Sequence, residues 1–179
     1  MKKILIGFDA DTDRCGFVAY NCETKNYIFA LNADYNTLAV KTIPRLYRSF
    51  KGYSFDCFIE IPTFRTIFSL APKNNNYDLA KSVFRGARCA EVALQFKDLC
   101  QKFGFMVETV KSENRVRPDR KEYERLTCDE IKTTSKLLAR QGKYFSKMDY
   151  NKSVAMFDFS ILNSEVTDAA LLILPKIVS

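Results

Sequence analysis

The feature that most constrains the fold is a short, continuous apolar run near the start of the chain. Residues 3–8 read KILIGF, and Asp9 follows directly. A segment that is apolar on both faces predicts a central strand, because other elements then cover both sides of it. We therefore expect an α/β protein with a buried sheet and with Asp9 at the end of its central strand.

Four more strands are predicted from similar runs. Residues 16–20 and 26–31 are joined by the polar linker 21–25, as in a hairpin, so the first three strands are expected to form an antiparallel meander. Residues 55–61 (FDCFIEI) carry Glu60, and Pro62 stops this strand. Residues 105–110 form the fifth strand.

Helices are predicted between and after these strands. In residues 34–50, Pro44 places the start of a helix near itself. The clearest helix spans residues 77–103 and ends at Gly104. Its apolar stripe consists of Leu79, Val83, Ala87, Ala90 and Leu94. Thr127 and Glu130 form a capping box for a helix to about Arg140, and residues 164–177 form the last helix.

The order of these elements is β-β-β-α-β-α-β-α-α. It predicts one domain over residues 1–179, with a five-stranded mixed sheet of three antiparallel and two parallel strands flanked by helices. The fourth strand is reached by a helical crossover, so it is expected to run parallel to the first. Asp9 and Glu60 would then stand side by side at the carboxyl ends of neighbouring strands, where open α/β sheets place ligands.

A second acidic pair lies in the last predicted helix. Glu165 and Asp168 are three residues apart and share one helical face. Four converging carboxylates repel one another unless they bind cations, and an all-oxygen ligand set suits Mg²⁺ or Mn²⁺. The alternatives are ordinary ones: Asp9 caps a turn, and Glu165 favours the helix dipole. Asp11 is read as a solvated loop residue and a reserve ligand.

Charge and composition point to an anionic partner. Lys and Arg total 28 against 21 Asp and Glu, which gives a net charge of +7. Nucleic acid is the commonest partner for such a surplus, although a basic protein without that partner remains open. The chain has no histidine, which excludes His-based triads and His-ligated zinc.

Cysteine placement and hydropathy indicate the compartment. The six cysteines include no C-x-x-C pair, and Cys15, Cys57 and Cys89 lie in apolar or small-residue stretches, as reduced core thiols do. The apolar segment 169–178 is too short to span a bilayer. We expect a protein that has no membrane partner and is located in a reducing cytoplasm. If a phage encodes the chain, that compartment is the cytoplasm of the host.

Basic and aromatic residues suggest a DNA-binding surface. Lys81, Arg85 and Arg88 form one helical stripe. A second cluster and an aromatic loop after Glu60 add further candidates: Arg115, Arg117, Arg120 and Lys121, and Phe64, Arg65 and Phe68. The alternatives are a solvated charged face for the basic residues and core packing for the phenylalanines.

Several motifs together resemble the RuvC-type Holliday-junction resolvases, particularly their phage members. IGFDADTDRCG resembles the first strand of that family, with Asp9 and then Gly16 seven residues on. FIEIP resembles the strand with Glu60, and SEVTDAALLIL the closing motif with Glu165 and Asp168. YDLAKSVFRGARCAEVA resembles the long helix after the Glu strand. ETVKSENRVRP resembles the strand that ends in a functional lysine, here Lys111. Ala10-Asp11 departs from the usual Pro-Gly, and Glu165 replaces an Asp.

This resemblance implies an RNase H-like fold and a crossover junction endonuclease that acts as a homodimer on branched DNA. It implies two Mg²⁺ or Mn²⁺ ions per site, held by Asp9, Glu60, Glu165 and Asp168, with Lys111 near the scissile phosphate. Two alternatives stay open. One is another RNase H-like nuclease acting on RNA–DNA hybrids or flaps, and the other is a non-catalytic branched-DNA-binding protein.

Overall fold

The computed structural model describes residues 2–62, 76–111 and 164–177. The strands are β1 (Lys3–Asp9), β2 (Cys15–Asn21), β3 (Asn26–Ala33), β4 (Ser54–Ile61) and β5 (Met106–Lys111). The helices are α1 (Tyr35–Thr37), α2 (Ile43–Ser49), α3 (Asn76–Lys102) and α4 (Ser164–Ile177), and a π-helical turn, Leu38–Thr42, joins α1 to α2.

The five strands form one mixed sheet in the order β3-β2-β1-β4-β5. β2 pairs antiparallel with both β1 and β3, whereas β1–β4 and β4–β5 are parallel pairs. This is the predicted RNase H-like arrangement of three antiparallel and two parallel strands. The apolar run of residues 3–8 is the central strand, and its interior residues are all buried.

One face of the sheet carries a core rich in large aromatic side chains. Ile4, Ile6 and Phe8 of β1 pack there with residues of α2 and α3. The rings of Phe8 and Phe96 stack with centroids 3.8 Å apart. This face therefore buries much apolar surface, and hydrophobic burial is the main stabilising contribution to a fold of this kind.

The other face is covered by α4, which lies close to β1 and β2. A Cβ added at Gly7 would lie 2.0 Å from the carbonyl oxygen of Ala169, and one at Gly16 would lie 1.9 Å from that of Glu165. Only glycine permits this distance, because any side chain would collide with backbone atoms of α4. The two glycines thus allow α4 to rest directly on the sheet.

The predicted helix start near Pro44 is only partly right. α2 does begin at Ile43, but helical turns already begin at Tyr35. The Asp34 side chain caps α1 by accepting a hydrogen bond from the Thr37 backbone N–H at 2.8 Å. Pro44 lies in the first turn of α2, where a missing N–H costs little.

The predicted helix of residues 77–103 is present as α3, but its apolar stripe is not its buried side. Ala87 and Leu94 are exposed, whereas Ala93, Phe96 and Cys100 are fully buried. The reason is that only the C-terminal half of α3 packs against the sheet, so helical periodicity in its first half has no core to face. Gly104, with a φ of +76°, follows the helix as predicted.

Three further predictions have different outcomes. Cys15 and Cys57 are buried free thiols, whereas Cys89 is only partly buried and so is not a core residue. The capped helix from Thr127 to Arg140 lies outside the described residues. Within the ranges that are described, no helix has both the length and the apolar character needed to cross a membrane.

Candidate functional site

Two carboxylates lie side by side at the carboxyl end of the parallel strands. In the pairing of β1 with β4, Asp9 is the Cα partner of Glu60. Gly7, two residues before Asp9, and Phe58, two residues before Glu60, both belong to the face that α4 covers. Because strand side chains alternate between faces, Asp9 and Glu60 share that face with them. The neighbouring placement expected from the sequence is therefore present.

Glu60 is the more constrained member of this pair. It is buried within a strand whose neighbouring residues, Ile59 and Phe58, belong to the apolar core. A buried carboxylate is costly unless it is paired, hydrogen-bonded or bound to a cation. Its position at a strand end beside Asp9 makes Glu60 a candidate metal ligand.

The acidic first turn of α4 approaches the same end of the sheet. Gly16, the Cα partner of Asp9, lies beneath the Glu165 carbonyl. Asp168 immediately precedes Ala169, whose carbonyl lies over Gly7. Glu165 and Asp168 are both partly buried. The contacts of α4 with the two glycines thus place the backbone at Glu165 beside the end of β1 and the backbone at Ala169 over the middle of that strand.

The chemistry of these donors fits a hard divalent cation. All four side chains offer carboxylate oxygens, which Mg²⁺ and Mn²⁺ prefer. Asp9 and Glu60 are paired by the sheet register, and Glu165 and Asp168 are carried by α4. Across residues 2–62, 76–111 and 164–177, no three carboxyl or thiol groups are arranged closely enough to form a ready metal cage.

Asp11, in the loop after β1, is engaged in an ion pair. Nη2 of Arg85 donates to both of its carboxylate oxygens, at 2.9 and 3.1 Å. The Thr12 backbone N–H donates to Oδ1 of Asp11 at 2.6 Å. The pKa of Arg85 is raised by its hydrogen bond with Asp11. Asp11 therefore lies in a loop, as predicted, but it is ion-paired rather than simply solvated, and its reserve role as a ligand stays a prediction.

Two thiols flank this ion pair. Sγ of Cys89 lies 3.8 Å from Oδ1 of Asp11, and the Cys15 thiol donates to the Asp11 carbonyl at 3.4 Å. Burial raises the pKa of each thiol to about 11, and the negative charge of Asp11 acts in the same direction. Both cysteines therefore remain protonated hydrogen-bond donors at neutral pH.

The basic stripe on α3 is exposed to solvent, as a DNA-binding surface requires. Lys81, Arg85 and Arg88 are all exposed. Between them lies Phe84, 66% exposed, with the Arg88 guanidinium 6.0 Å from its ring centroid. Phe84 is not among the residues predicted from the sequence, because a phenylalanine within a helix is more often a core residue. The DNA-binding role of the stripe stays a prediction.

The remaining predicted site residues are less fully described. Lys111 is the last residue of β5, and its backbone is in register with Ile61, next to Glu60. This puts its backbone at the acidic end of the sheet. The other predicted DNA-binding residues lie outside the described ranges: Phe64, Arg65, Phe68, Arg115, Arg117, Arg120 and Lys121.

Comparison with known proteins adds a structural likeness only. No protein-family model matches the chain, and no curated protein matches it. Among solved structures, RuvC of T. thermophilus in complex with a Holliday junction substrate is similar at 8% sequence identity and a TM-score of 0.49. The alignment covers 95% of this chain and 89% of that chain. The fold assignment given above rests on the strand order and pairing of the sheet.

Proposed function

We propose that this chain is a metal-dependent, structure-selective DNA endonuclease that hydrolyses phosphodiester bonds in four-way and other branched junctions. The observation that carries the proposal is the register pairing of Asp9 with Glu60 at the carboxyl end of two parallel strands. The Glu165 carbonyl, in the first turn of α4, lies over Gly16, which is the β2 partner of Asp9. Carboxylates at one end of a sheet are the oxygen ligands that cation-assisted hydrolysis of a phosphodiester uses.

The side chains in the proposed site have distinct tasks. Asp9, Glu60, Glu165 and Asp168 would hold the cations. Two Mg²⁺ or Mn²⁺ ions held there would supply the chemistry that activates a water molecule and stabilises the charge of the leaving 3′-oxygen. Glu60 is buried, so it would offer its carboxylate from the inner side of the site. Lys111, at the end of β5, is proposed to steady the scissile phosphate.

The choice of branched DNA rests on different support. The ordered motifs around Asp9, Glu60 and Asp168 resemble junction resolvases, and the exposed stripe Lys81–Arg88 supplies positive charge near the acidic edge. Phosphate contacts of this kind give affinity with little sequence preference. Symmetric cutting of two strands requires two active sites, so the proposal includes a homodimer.

The test is cleavage of a synthetic four-way junction beside matched duplex, flap and RNA–DNA hybrid, with Mg²⁺ or Mn²⁺. We expect paired nicks in the junction and a loss of at least about a hundredfold in Asp9→Asn, because a metal ligand is removed. Asp13→Asn changes an exposed carboxylate in the same loop and is the matched control, with activity retained.

Other outcomes of this assay separate the alternatives. Preferred cutting of the hybrid or the flap would keep the site and change the substrate. Tight junction binding that is indifferent to metal, with no cleavage of any substrate, would refute the enzyme and favour a non-catalytic junction-binding protein.

A further inference from the structure

The ion pair between Asp11 and Arg85 uses only part of the guanidinium, so other N–H donors of Arg85 can still bind a ligand. Only Nη2 donates to the carboxylate, whereas an arginine carries further donors on Nε and Nη1. Among the described residues, none accepts a hydrogen bond from those two nitrogens. The Arg85 side chain is 65% exposed, compared with 20% for Asp11. The guanidinium is therefore fixed on one side and open to solvent on the other.

Asp11 is well suited to fix an arginine. Its carboxylate accepts from the Thr12 backbone N–H and contacts the Cys89 thiol, and its carbonyl accepts from the buried Cys15 thiol. It lies two residues beyond Asp9, the partner of Glu60. The anchored loop thus holds a cationic group of α3 next to the acidic end of the sheet.

We propose that Arg85 binds a phosphate of the DNA backbone beside the active site, and that Asp11 is a positioning residue that holds the guanidinium ready for this contact. The planar guanidinium accommodates a carboxylate on one nitrogen and a phosphate on the others. A pre-ordered arginine also loses less side-chain freedom when DNA binds. The inference rests on the proposed function, because it takes DNA as the ligand.

For the variant Asp11→Asn, the proposal predicts the opposite change in DNA affinity from the change that charge alone predicts. Asp11→Asn removes a negative charge near the DNA, which by charge alone strengthens binding. If Asp11 positions Arg85, the same change weakens binding, because the guanidinium is no longer held. Asp13 is the matched control, since it is exposed in the same loop and its charge also acts on Arg85. Asp13→Asn therefore measures the effect of charge alone.

The experiment measures affinity of the full chain for a synthetic four-way junction in EDTA, over a series of salt concentrations. We expect Arg85→Gln to weaken DNA binding about tenfold and Asp11→Asn to weaken it about threefold. The double variant should bind as weakly as Arg85→Gln alone, because Asp11 acts through Arg85. Arg85→Gln should lower the salt slope by about 0.9, the value of one phosphate contact, and Asp11→Asn should lower it by a smaller amount, because Arg85 keeps its charge. Asp13→Asn should bind at least as tightly as the unmodified protein, with its slope unchanged.

A second pair of variants keeps the test independent of the loop's folding. Arg85→Lys retains the charge on an exposed position but loses the planar fork, so we expect about threefold weaker binding. Arg48→Lys makes the same exchange on an exposed arginine of α2, which lies outside the basic stripe. We expect Arg48→Lys to change affinity less than about 1.5-fold, because its charge is retained and it takes no part in the proposed contact.

Each outcome bears on the proposal. Unchanged or tighter binding by Asp11→Asn would overturn the positioning role and leave the proposed nuclease intact. A threefold loss that depends on Arg85, in a protein that cuts no junction, would support the phosphate site and refute the nuclease reaction. Failure of the unmodified protein to bind DNA at all would overturn both.

Discussion

The two faces of the sheet are built in different ways. The face under α3 is filled by large aromatic rings, with Phe96 stacked on Phe8 and edge-on to Phe17. The face under α4 has Gly7 and Gly16 at its closest points, where backbone meets backbone. Bulky packing buries more apolar surface, whereas glycine contacts fix a helix at short distance.

This difference indicates that the face under α3 mainly stabilises the fold, whereas the face under α4 positions the candidate site. β1 contributes to both through alternation: Ile6 and Phe8 point to the aromatic core, whereas Gly7 and Asp9 share the α4 face. A residue on the aromatic side should therefore affect unfolding more than chemistry. A substitution at the glycine contact should affect the chemistry of the site more than the free energy of unfolding.

The largest expected effect on stability comes from Phe96→Ala. Phe96 is fully buried and contacts two other rings, so its removal leaves a cavity. We expect the free energy of unfolding to fall by about 3–5 kcal/mol, measured by urea denaturation. Affinity for Mn²⁺ should stay within about twofold in the folded fraction, since no ligand moves. A loss below 1 kcal/mol, or a loss of Mn²⁺ binding, would break the comparison.

Gly16→Ala should show the reverse pattern. The added methyl would meet the backbone of Glu165, so α4 must shift. We expect the free energy of unfolding to fall by about 1–3 kcal/mol, with metal-dependent cleavage reduced at least about tenfold. Gly52→Ala is the control: its φ of +88° makes it costly, but it has open space around it and lies away from α4. Full activity in Gly16→Ala would contradict this account.

The smallest expected effect concerns pH. Burial raises the pKa of Cys15 from an ordinary 9.0 to about 11. Its contribution to stability is fully present below pH 9, because both states are then protonated, and it is lost as the pH rises toward 11, where the unfolded chain ionises first. Cys15→Ala should flatten the decline in the free energy of unfolding by about 2 kcal/mol between those pH values. Parallel curves for both proteins would refute this assignment.

The fold was predictable where the sequence signal was local. The apolar run of residues 3–8, the hairpin linker and the Gly104 helix end each depend on neighbouring residues, and all three predictions are confirmed. The apolar stripe predicted on α3 is not its buried side, because periodicity does not reveal which half of a helix packs against the sheet. The helix start at Asp34 is not predicted from the sequence, because Pro44 carries the stronger local signal for a helix start.

The candidate site was predictable to a similar extent. Asp9 and Glu60 come together because one parallel crossover has few compact solutions. The pairing of Asp11 with Arg85 was not foreseen, since 74 residues separate them and no local pattern links a loop to a distant helix. Exposure of Phe84 likewise depends on how α3 is oriented, which no pattern within the helix determines.

The measurement that tests the central claim most directly is Mn²⁺ binding to the full chain by calorimetric titration, in the absence of DNA. Neutral variants of each proposed ligand form the series: Asp9→Asn, Glu60→Gln, Glu165→Gln and Asp168→Asn. Glu108→Gln is the control, because this exposed glutamate of β5 faces Lys176 at 3.8 Å rather than the acidic end of the sheet.

We expect each ligand variant to weaken Mn²⁺ binding at least about tenfold and the control to leave it unchanged. Equal Mn²⁺ affinity in all five variants, or no binding by the unmodified protein, would contradict the claim that the sheet edge and α4 together form a metal site.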